Sequence, residues 1–289
     1  MALPHVLHTA SEVATLRHQL SEQGRTVALV PTMGALHAGH LALVDRAREL
    51  ADVVIVSIFV NPLQFGAGED FDRYPRTLDA DVAALAGKAD FVFAPDVNEV
   101  YPERIGGEPV PAKHAGVVGE NFEGASRPGH FDGVLTVVAR LFDIVKPEVV
   151  VFGQKDAQQV FLIRNMIHQD GLPIRFEVIE TIREVDGLAL SSRNRYLSEE
   201  ERAAALALPH ALLAVARHAL HSPAGELREV GREVFEQYPL VRLDYLDIVD
   251  PTTFQPVSND YQGPATVVVA AVVGTTRLID TENLERLHA

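Results

Sequence analysis

The sequence predicts an α/β fold, in which a doubly wound parallel sheet is followed by a smaller α+β domain. Three observations carry that prediction. Short Val/Ile-rich runs alternate with stretches of helical period as far as Glu180. Several of those runs are apolar almost throughout, as in Val53-Val54-Ile55-Val56-Ser57-Ile58-Phe59-Val60, which suits strands covered on both faces. After Asn194 the texture changes to Ala/Leu-rich helical sequence and then to further β-like runs. Strand–helix alternation of the first kind argues for a parallel sheet wound on both faces.

Taken in order, strands are expected near Thr26–Val30, Val53–Val60, Phe91–Ala94, Val149–Phe152 and Ile174–Glu180. Helices are expected near Val44–Leu50, Asp79–Gly87, Gly133–Val145 and Ala157–Gln169. Such a Rossmann-like sheet binds ligands at the carboxyl ends of its strands. Gly66–Tyr74 and Pro102–Pro128 read as long loops. Further on, Leu197–Leu220 reads as one helical stretch opened by a capping box at Ser198-Glu199-Glu200-Glu201. A second helix is expected near Gly225–Gln237, then strands at Leu243–Val249, Ala265–Val273 and Arg277–Asp280 forming a small antiparallel sheet. The join falls within Thr181–Asn194, which sets the expected domains at 1–181 and 182–289.

The formal net charge of −15 argues against a nucleic-acid surface, which needs a basic stripe. Small anions remain open, because a local group of Lys and Arg outweighs a distant negative field. Without a single cysteine, disulfides, thiolate metal sites and cysteine nucleophiles are excluded. The first residues lack the basic start and apolar core of a secretion signal, and no run approaches the ~20 apolar residues of a membrane span. A cytoplasmic protein is expected, with no membrane and no nucleic acid among its partners.

Pro31-Thr32-Met33-Gly34-Ala35-Leu36-His37-Ala38-Gly39-His40-Leu41 lies where a strand turns into a helix. Free N–H groups and the helix dipole bind phosphate at such a turn, and imidazoles there can donate to phosphate oxygens as charge develops. The chain has no Gly-x-x-x-x-Gly-Lys-Ser/Thr, so this is not a P-loop. The alternatives for His37 and His40 are a pair of polar residues satisfied in a turn, or half of a metal site, which the lack of cysteine and of His-Glu-x-x-His argues against. Gly153-Gln154-Lys155-Asp156 also follows an apolar strand, and offers either a phosphate-binding lysine or a surface ion pair. Leu190-Ser191-Ser192-Arg193-Asn194-Arg195 packs hydroxyls and guanidiniums into a segment that suits phosphate, or an interdomain linker. In Asn61-Pro62-Leu63-Gln64-Phe65 the Gln64 amide suits a hydroxy acid or an amine, and the same residues also suit a strand-ending turn. Arg127-Pro128-Gly129-His130-Phe131 is a further loop with a cation and an imidazole. Asp79 and Asp81, near a helix start, serve the dipole or hold Mg²⁺.

Together, Pro31–Leu41, Asn61–Phe65, Gly153–Gln159 and Leu190–Asn194 resemble the pantoate–β-alanine ligases (pantothenate synthetases), a family of the His-x-Gly-His nucleotidyltransferase superfamily. The resemblance is strongest from Arg25 to Arg195 and looser as far as Leu278. It implies condensation of pantoate with β-alanine through a pantoyl adenylate, with ATP and Mg²⁺ required and AMP and pyrophosphate released, in pantothenate biosynthesis. ATP then lies on Met33, Gly34, Ala35, Leu36, His37, Ala38, Gly39 and His40, and on Gly153, Gln154, Lys155, Asp156, Ile182, Leu190, Ser191, Ser192 and Arg193. The implied catalytic groups are His40 as proton donor, with His37, Lys155, Ser191, Ser192 and Arg193. Gln64 and Gln159, with Asn61, Arg127 and His130, are implied to bind pantoate and β-alanine, and Asp81 to hold Mg²⁺; Ala80 stands where some relatives carry another acid. A homodimer through the first domain is implied as well, and the second domain is expected to act as a lid over the adenylate.

Three other classes compete, of which an aminoacyl-tRNA synthetase is disfavoured because a net charge of −15 and this length leave little room for tRNA. An adenylyltransferase that moves AMP onto a phosphate shares the His-x-Gly-His element, without the Asn-Pro-x-Gln-Phe segment or the second domain. A nucleotide-binding regulatory protein with a retired site is the non-enzyme reading; the intact His37, His40, Lys155 and Arg193 speak against it.

Overall fold

The computed structural model describes residues 2–66, 69, 71–102 and 112–287. The remaining parts of the two expected loops, 67–68, 70 and 103–111, lie outside the described residues. The chain divides into two compact units, one of Met1–Gly153 with Leu162–Ile179, the other of Gln154–Phe161 with Glu180–Ala289.

The first unit runs β1 (His5–Leu7), α1 (Ala10–Glu22), β2 (Val27–Thr32), α2 (Ala38–Leu50) and β3 (Val53–Ile58), then a 3₁₀ turn at Pro62–Gln64. It continues through α3 (Leu78–Ala84), β4 (Phe91–Phe93), α4 (Val97–Val100), a 3₁₀ turn at Val117–Glu120, α5 (Glu123–Ser126), α6 (His130–Val145) and β5 (Val149–Gly153). Helix α7 (Ala157–Gln169) begins in the second unit and ends in the first, where β6 (Arg175–Ile179) closes the sheet. The six strands lie in the order β1-β4-β3-β2-β5-β6, and every pairing is parallel. Leu43, Val44 and Ala47 of α2, with Leu85, cover Ala28, Val30, Val54, Val56 and Val151 on one face. Alternation turns Val27 and Leu29 to the other face, where α6 meets β2 and packs with α1. Leu29 and Ile55 are fully buried, worth about 1.5–3 kcal/mol each relative to exposure. The strand order reverses between β2 and β5, and the carboxyl ends there lead into Met33 and out of Gly153. Such a reversal leaves a crevice at the strand ends.

The second unit holds a 3₁₀ turn at Ser192–Tyr196, α8 (Glu199–Ala205), α9 (Ala207–His218), α10 (Ala224–Phe235), β7 (Val241–Val249), β8 (Gly263–Val273) and β9 (Thr276–Leu287). The strands form an antiparallel sheet in the order β7-β8-β9. One core joins Leu208, Leu212 and Val215 of α9 and Leu227 of α10 to Ile248, Val267, Val269, Leu278 and Leu284.

Several elements differ from the sequence expectation. Strand β1 and helix α1 lie outside it: β1 has three residues, and α1 buries only Val13 and Leu20, so neither carries a strong apolar period. Helix α2 starts at Ala38, well before Val44, because His37 caps it. The single helix expected over Leu197–Leu220 is two, parted at Leu206. Pro209 explains the break: its ring has no N–H and clashes with the carbonyl four residues back, that of Ala205. Strand β9 continues to Leu287, past Asp280. Among the described residues no helix is long and apolar enough to cross a membrane.

Candidate active site

The turn between β2 and α2 is shaped by its own neighbours. Thr32 Oγ1 donates to Ser57 O at 2.7 Å and accepts Gly34 N–H at 3.1 Å. Gly34 takes φ +81°, and a Cβ there would stand 3.0 Å from both Asp81 Oδ2 and Ile58 Cγ2. Ala35 follows at φ +51°, a left-handed conformation disfavoured for any side chain. Asp81 holds it there: Oδ2 accepts Ala35 N–H at 3.0 Å and Oδ1 accepts Leu36 N–H at 2.8 Å. Thr77 Oγ1 also donates to Oδ2 at 3.1 Å, and the residue is 3% exposed. The side chain expected to hold Mg²⁺ is thus engaged in fastening the loop. No group of three or more metal-ligating side chains occurs among the described residues.

His37 is the N-cap of α2, a place usually taken by Ser, Thr, Asp or Asn. Its Nδ1 accepts Gly39 N–H at 3.1 Å, while His40 Nδ1 accepts His37 N–H at 3.3 Å. The bond pattern assigns the tautomer of each ring: a nitrogen that accepts carries no proton, so the neutral form of both has Nε2–H. The ring centroids are 4.0 Å apart at 33°. A turn built this way carries two ring N–H donors beside a helix N-terminus, the equipment for meeting phosphate charge. Met33, Leu36, Ala38 and Gly39 complete the turn, and Gly153 ends the strand beside β2.

A second group surrounds Gln64. Its Nε2 donates to Met33 Sδ at 2.9 Å, and its Oε1 accepts Asn61 Nδ2 at 3.1 Å. Asn61 is 1% exposed, and its amide is fully engaged. Besides Gln64, Nδ2 reaches Gly133 O at 3.1 Å, and Oδ1 accepts Leu63 N–H and the Tyr101 hydroxyl. Burial pushes the Tyr101 phenol well above its ordinary pKa, so it stays a donor. Gly133 lets α6 press on this turn, since a Cβ would sit 2.1 Å from Leu63 O. Arg127 donates to Gln64 O at 3.1 Å and forms an ion pair with Glu69. Burial would raise the Glu69 carboxyl, but the guanidinium outweighs it and holds the pKa below its ordinary value. His130 Nε2 faces Arg127 Nη1 at 3.1 Å and Nδ1 faces Gln64 O at 2.8 Å. Arginine can only donate and the carbonyl can only accept, so His130 carries its proton on Nδ1, opposite to His37 and His40. Burial and the Arg127 charge push its pKa down to about 4.

The second unit gathers the remaining expected residues. Lys155 Nζ donates to Leu190 O at 3.3 Å. Leu190 N–H donates to Ile182 O at 2.9 Å, which closes a short hairpin over residues 182–190. Ser191 Oγ caps the 3₁₀ turn by accepting Arg193 N–H at 3.2 Å, so Ser192 and Arg193 stand in its first turn. Gln154 and Asp156 precede α7 and Gln159 lies in its first turn, all half-buried. The structure therefore sorts the expected residues into two sets, one in each unit. Sequence reasoning missed the supports of the first set, namely Glu69, Tyr101 and Gly133. Only their positions in space mark them, because nothing in their local sequence points at Gln64 or the histidines.

Comparison with known proteins identifies the family. The family model described as pantoate-beta-alanine ligase matches residues 5–283. A pantothenate synthetase from Leifsonia xyli is 56% identical, the match covering 98% of this chain and 97% of that one. One from Thermobifida fusca is 52% identical over 96% of this chain and 94% of the relative. Among solved structures, a pantothenate synthetase from Thermus thermophilus superposes with a TM-score of 0.87 at 45% identity, covering 96% and 98% of the two chains. A pantoate-beta-alanine ligase from Francisella tularensis, solved in complex with beta-gamma ATP and beta-alanine, gives 0.75 at 34% identity over 96% and 97%.

Proposed function

The chain belongs to the pantoate-beta-alanine ligase family, and on that premise we propose that it joins pantoate to β-alanine while cleaving ATP to AMP and pyrophosphate. The observation that carries the site reading is that both Nδ1 atoms, of His37 and of His40, accept backbone N–H groups. In the first step a pantoate carboxylate oxygen bonds to the α-phosphorus, and pyrophosphate leaves with the electron pair of the broken P–O bond. In the second, the deprotonated amine of β-alanine bonds to the acyl carbon of the pantoyl adenylate. AMP leaves with the C–O pair, and the former ammonium protons pass to solvent.

His37 and His40 donate to the phosphates, with His40 the proton donor, and Lys155, Ser191, Ser192 and Arg193 neutralise the charge that builds there. Gly153, Gln154, Asp156, Ile182 and Leu190 border the nucleotide. Gln64 and Gln159 hold pantoate, and Gln64 also serves β-alanine. Asn61, Arg127 and His130 act through Gln64, which their hydrogen bonds support. We propose that Mg²⁺ would be held chiefly by the ATP phosphates, whose charge it would neutralise, with Asp81 assisting only secondarily to its hold on Ala35 and Leu36. We propose a functional division at 1–181 and 182–289, with Gln154–Phe161 grouping with the second part, which acts as a lid that keeps water from the adenylate; scattering profiles unchanged by ATP would overturn that. The protein works in the cytoplasm as a homodimer, so light scattering should return twice the 31.5 kDa chain mass.

The test of the reaction is exchange of labelled pyrophosphate into ATP with Mg²⁺ and no β-alanine. Exchange that requires pantoate, and turns into net AMP release when β-alanine is added, is expected. Exchange only with the product of a phosphate acceptor would move the chain to the adenylyltransferases.

A further inference from the structure

Asp280 stands where the pattern of its strand calls for an apolar residue. Alternation along β9 puts Leu278, Asp280, Glu282 and Leu284 on one face, and Leu278 and Leu284 belong to the core of the second unit. Asp280 is 1% exposed and is paired across the sheet with Val269, itself a core residue. A carboxylate in that setting is costly, and a buried ion pair is weak evidence for stability. Burial raises its pKa, a rise restrained by the Arg183 guanidinium, the Thr281 N–H and the Lys155 ammonium.

What Asp280 holds is specific. Oδ2 accepts Arg183 Nη1 at 2.6 Å, and Oδ1 accepts Arg183 Nη2 at 3.1 Å and Thr281 N–H at 2.8 Å. The same guanidinium donates to Gly187 O at 3.1 Å and Thr281 O at 3.3 Å. Arg183 lies in the short hairpin, facing Ala189, and a Glu184 N–H bond to Leu188 O and a Leu190 N–H bond to Ile182 O complete its ladder. One side chain thus ties the arm, the turn and β9 together. The next residues of β9 hold the lysine segment: Thr281 Oγ1 donates to Gln154 O at 3.2 Å, and Asn283 Oδ1 accepts Gln154 Nε2 at 3.2 Å. Lys155 closes the circuit through Leu190 O.

We propose that the Arg183–Asp280 pair is a positioning device for ATP, which sets Ile182 and Leu190–Arg193 against Lys155 through β9. The proposal rests on the nucleotide role given to those residues above. It assigns the pair neither contact with substrate nor a large part in folding. It therefore separates two effects that a purely structural pair would move together.

The test uses the full chain with two variants. The double variant Asp280→Leu/Arg183→Met replaces the pair by apolar side chains of similar size, which in comparable cores leaves stability equal or higher. Arg183→Lys keeps the charge beside Asp280 but has no planar fork to reach Gly187 O and Asp280 at once. Both are expected to raise KM for ATP at least about tenfold and slow pyrophosphate exchange, with KM for pantoate within about twofold and Tm retained. Hydrogen exchange at the Leu190 amide should quicken at least about tenfold in both. Either variant, folded and with wild-type KM for ATP and wild-type Leu190 protection, would overturn the proposal, and Arg183→Lys decides alone if the double variant does not fold. Absence of pantoate-dependent exchange in the wild-type enzyme would instead strike the reaction assignment, while Leu190 protection would still report on the clamp.

Discussion

The loop from Met33 to His40 and the loop from Leu190 to Arg193 are given the same task, contact with ATP, and are held in different ways. In the first, the bonds that fix the rings span two and three residues, His37 Nδ1 with Gly39 N–H and His40 Nδ1 with His37 N–H. In the second, the bond that fixes the hairpin spans 97 residues, from Arg183 to Asp280. A capping interaction is remade each time the helix forms, so it carries its geometry wherever the segment goes. The long-range clamp exists only once β9 has found its place in the sheet. The first arrangement suits rings that must present the same atom in every cycle, and the second suits a segment whose position depends on its unit as a whole.

The largest expected effect comes from breaking the donors of the local loop without breaking its caps. Asparagine carries an acceptor near the position of the histidine Nδ1 and lacks Nε2–H. His40→Asn should slow pantoate-dependent exchange about 100- to 1000-fold, with unfolding free energy unchanged to within about 0.5 kcal/mol. His37→Ala, by contrast, should lose stability too, about 1 kcal/mol for a missing N-cap. Near-normal exchange in His40→Asn would remove His40 from the chemistry.

A smaller effect separates the histidines by protonation. His130 titrates at about 4 in the folded chain against an ordinary 6.5, so between those values the unfolded chain binds the extra proton. Stability from this group is therefore complete above about 6.5 and drains as pH falls toward 4, by up to about 3 kcal/mol. Urea unfolding of wild type and His130→Gln at matched pH should show that slope in the wild type alone. Equal slopes would mean that His130 is not held neutral.

Asp81 tests whether the local loop also leans on a distant group. Asp81→Asn offers one acceptor where two N–H groups, Ala35 and Leu36, now find one each. A loss of about 1–3 kcal/mol in stability is expected from the orphaned donor. Exchange should fall at every Mg²⁺ concentration; recovery at high Mg²⁺ would point to a metal-holding role instead. The smallest effect is at Gln64, where Gln64→Ala should raise KM for pantoate about tenfold, the worth of about 1.4 kcal/mol. KM for ATP should stay within about twofold, and equal rises in both would count against a pantoate role.

Much of the fold is legible because strands of a doubly covered sheet must be apolar on both faces, and the runs at Val27, Val53 and Val149 say so directly. Helix α1 is less visible, although Thr9 and Glu12 form a capping box at its start. Its apolar face is two residues wide, too little for a period to stand out. The break at Leu206 is legible in principle, since Pro209 forbids the helix that an Ala/Leu-rich composition favours. In the site, His37, His40, Gln64, Lys155 and Ser191–Arg193 are visible as residue types at strand ends and in loops. Glu69, Tyr101, Gly133, Arg183 and Asp280 are not, because each meets a partner at least 40 positions away in the chain.

By itself the order of residues determines the main strands of the first sheet, most of the helices and the capping box at Ser198. It also sets that two imidazoles flank a glycine at a helix start. Those outcomes depend on alternation and on hydrogen bonds between residues a few positions apart, which a linear sequence contains. Only the tertiary structure decides that His130 carries its proton on the opposite nitrogen, that Asn61 and Asp81 are engaged by the protein, and that a buried carboxylate on β9 clamps a hairpin 97 residues earlier in the chain. Each of these follows from which groups meet in space after the sheet is assembled. Burial there raises the cost of any polar atom left without a partner.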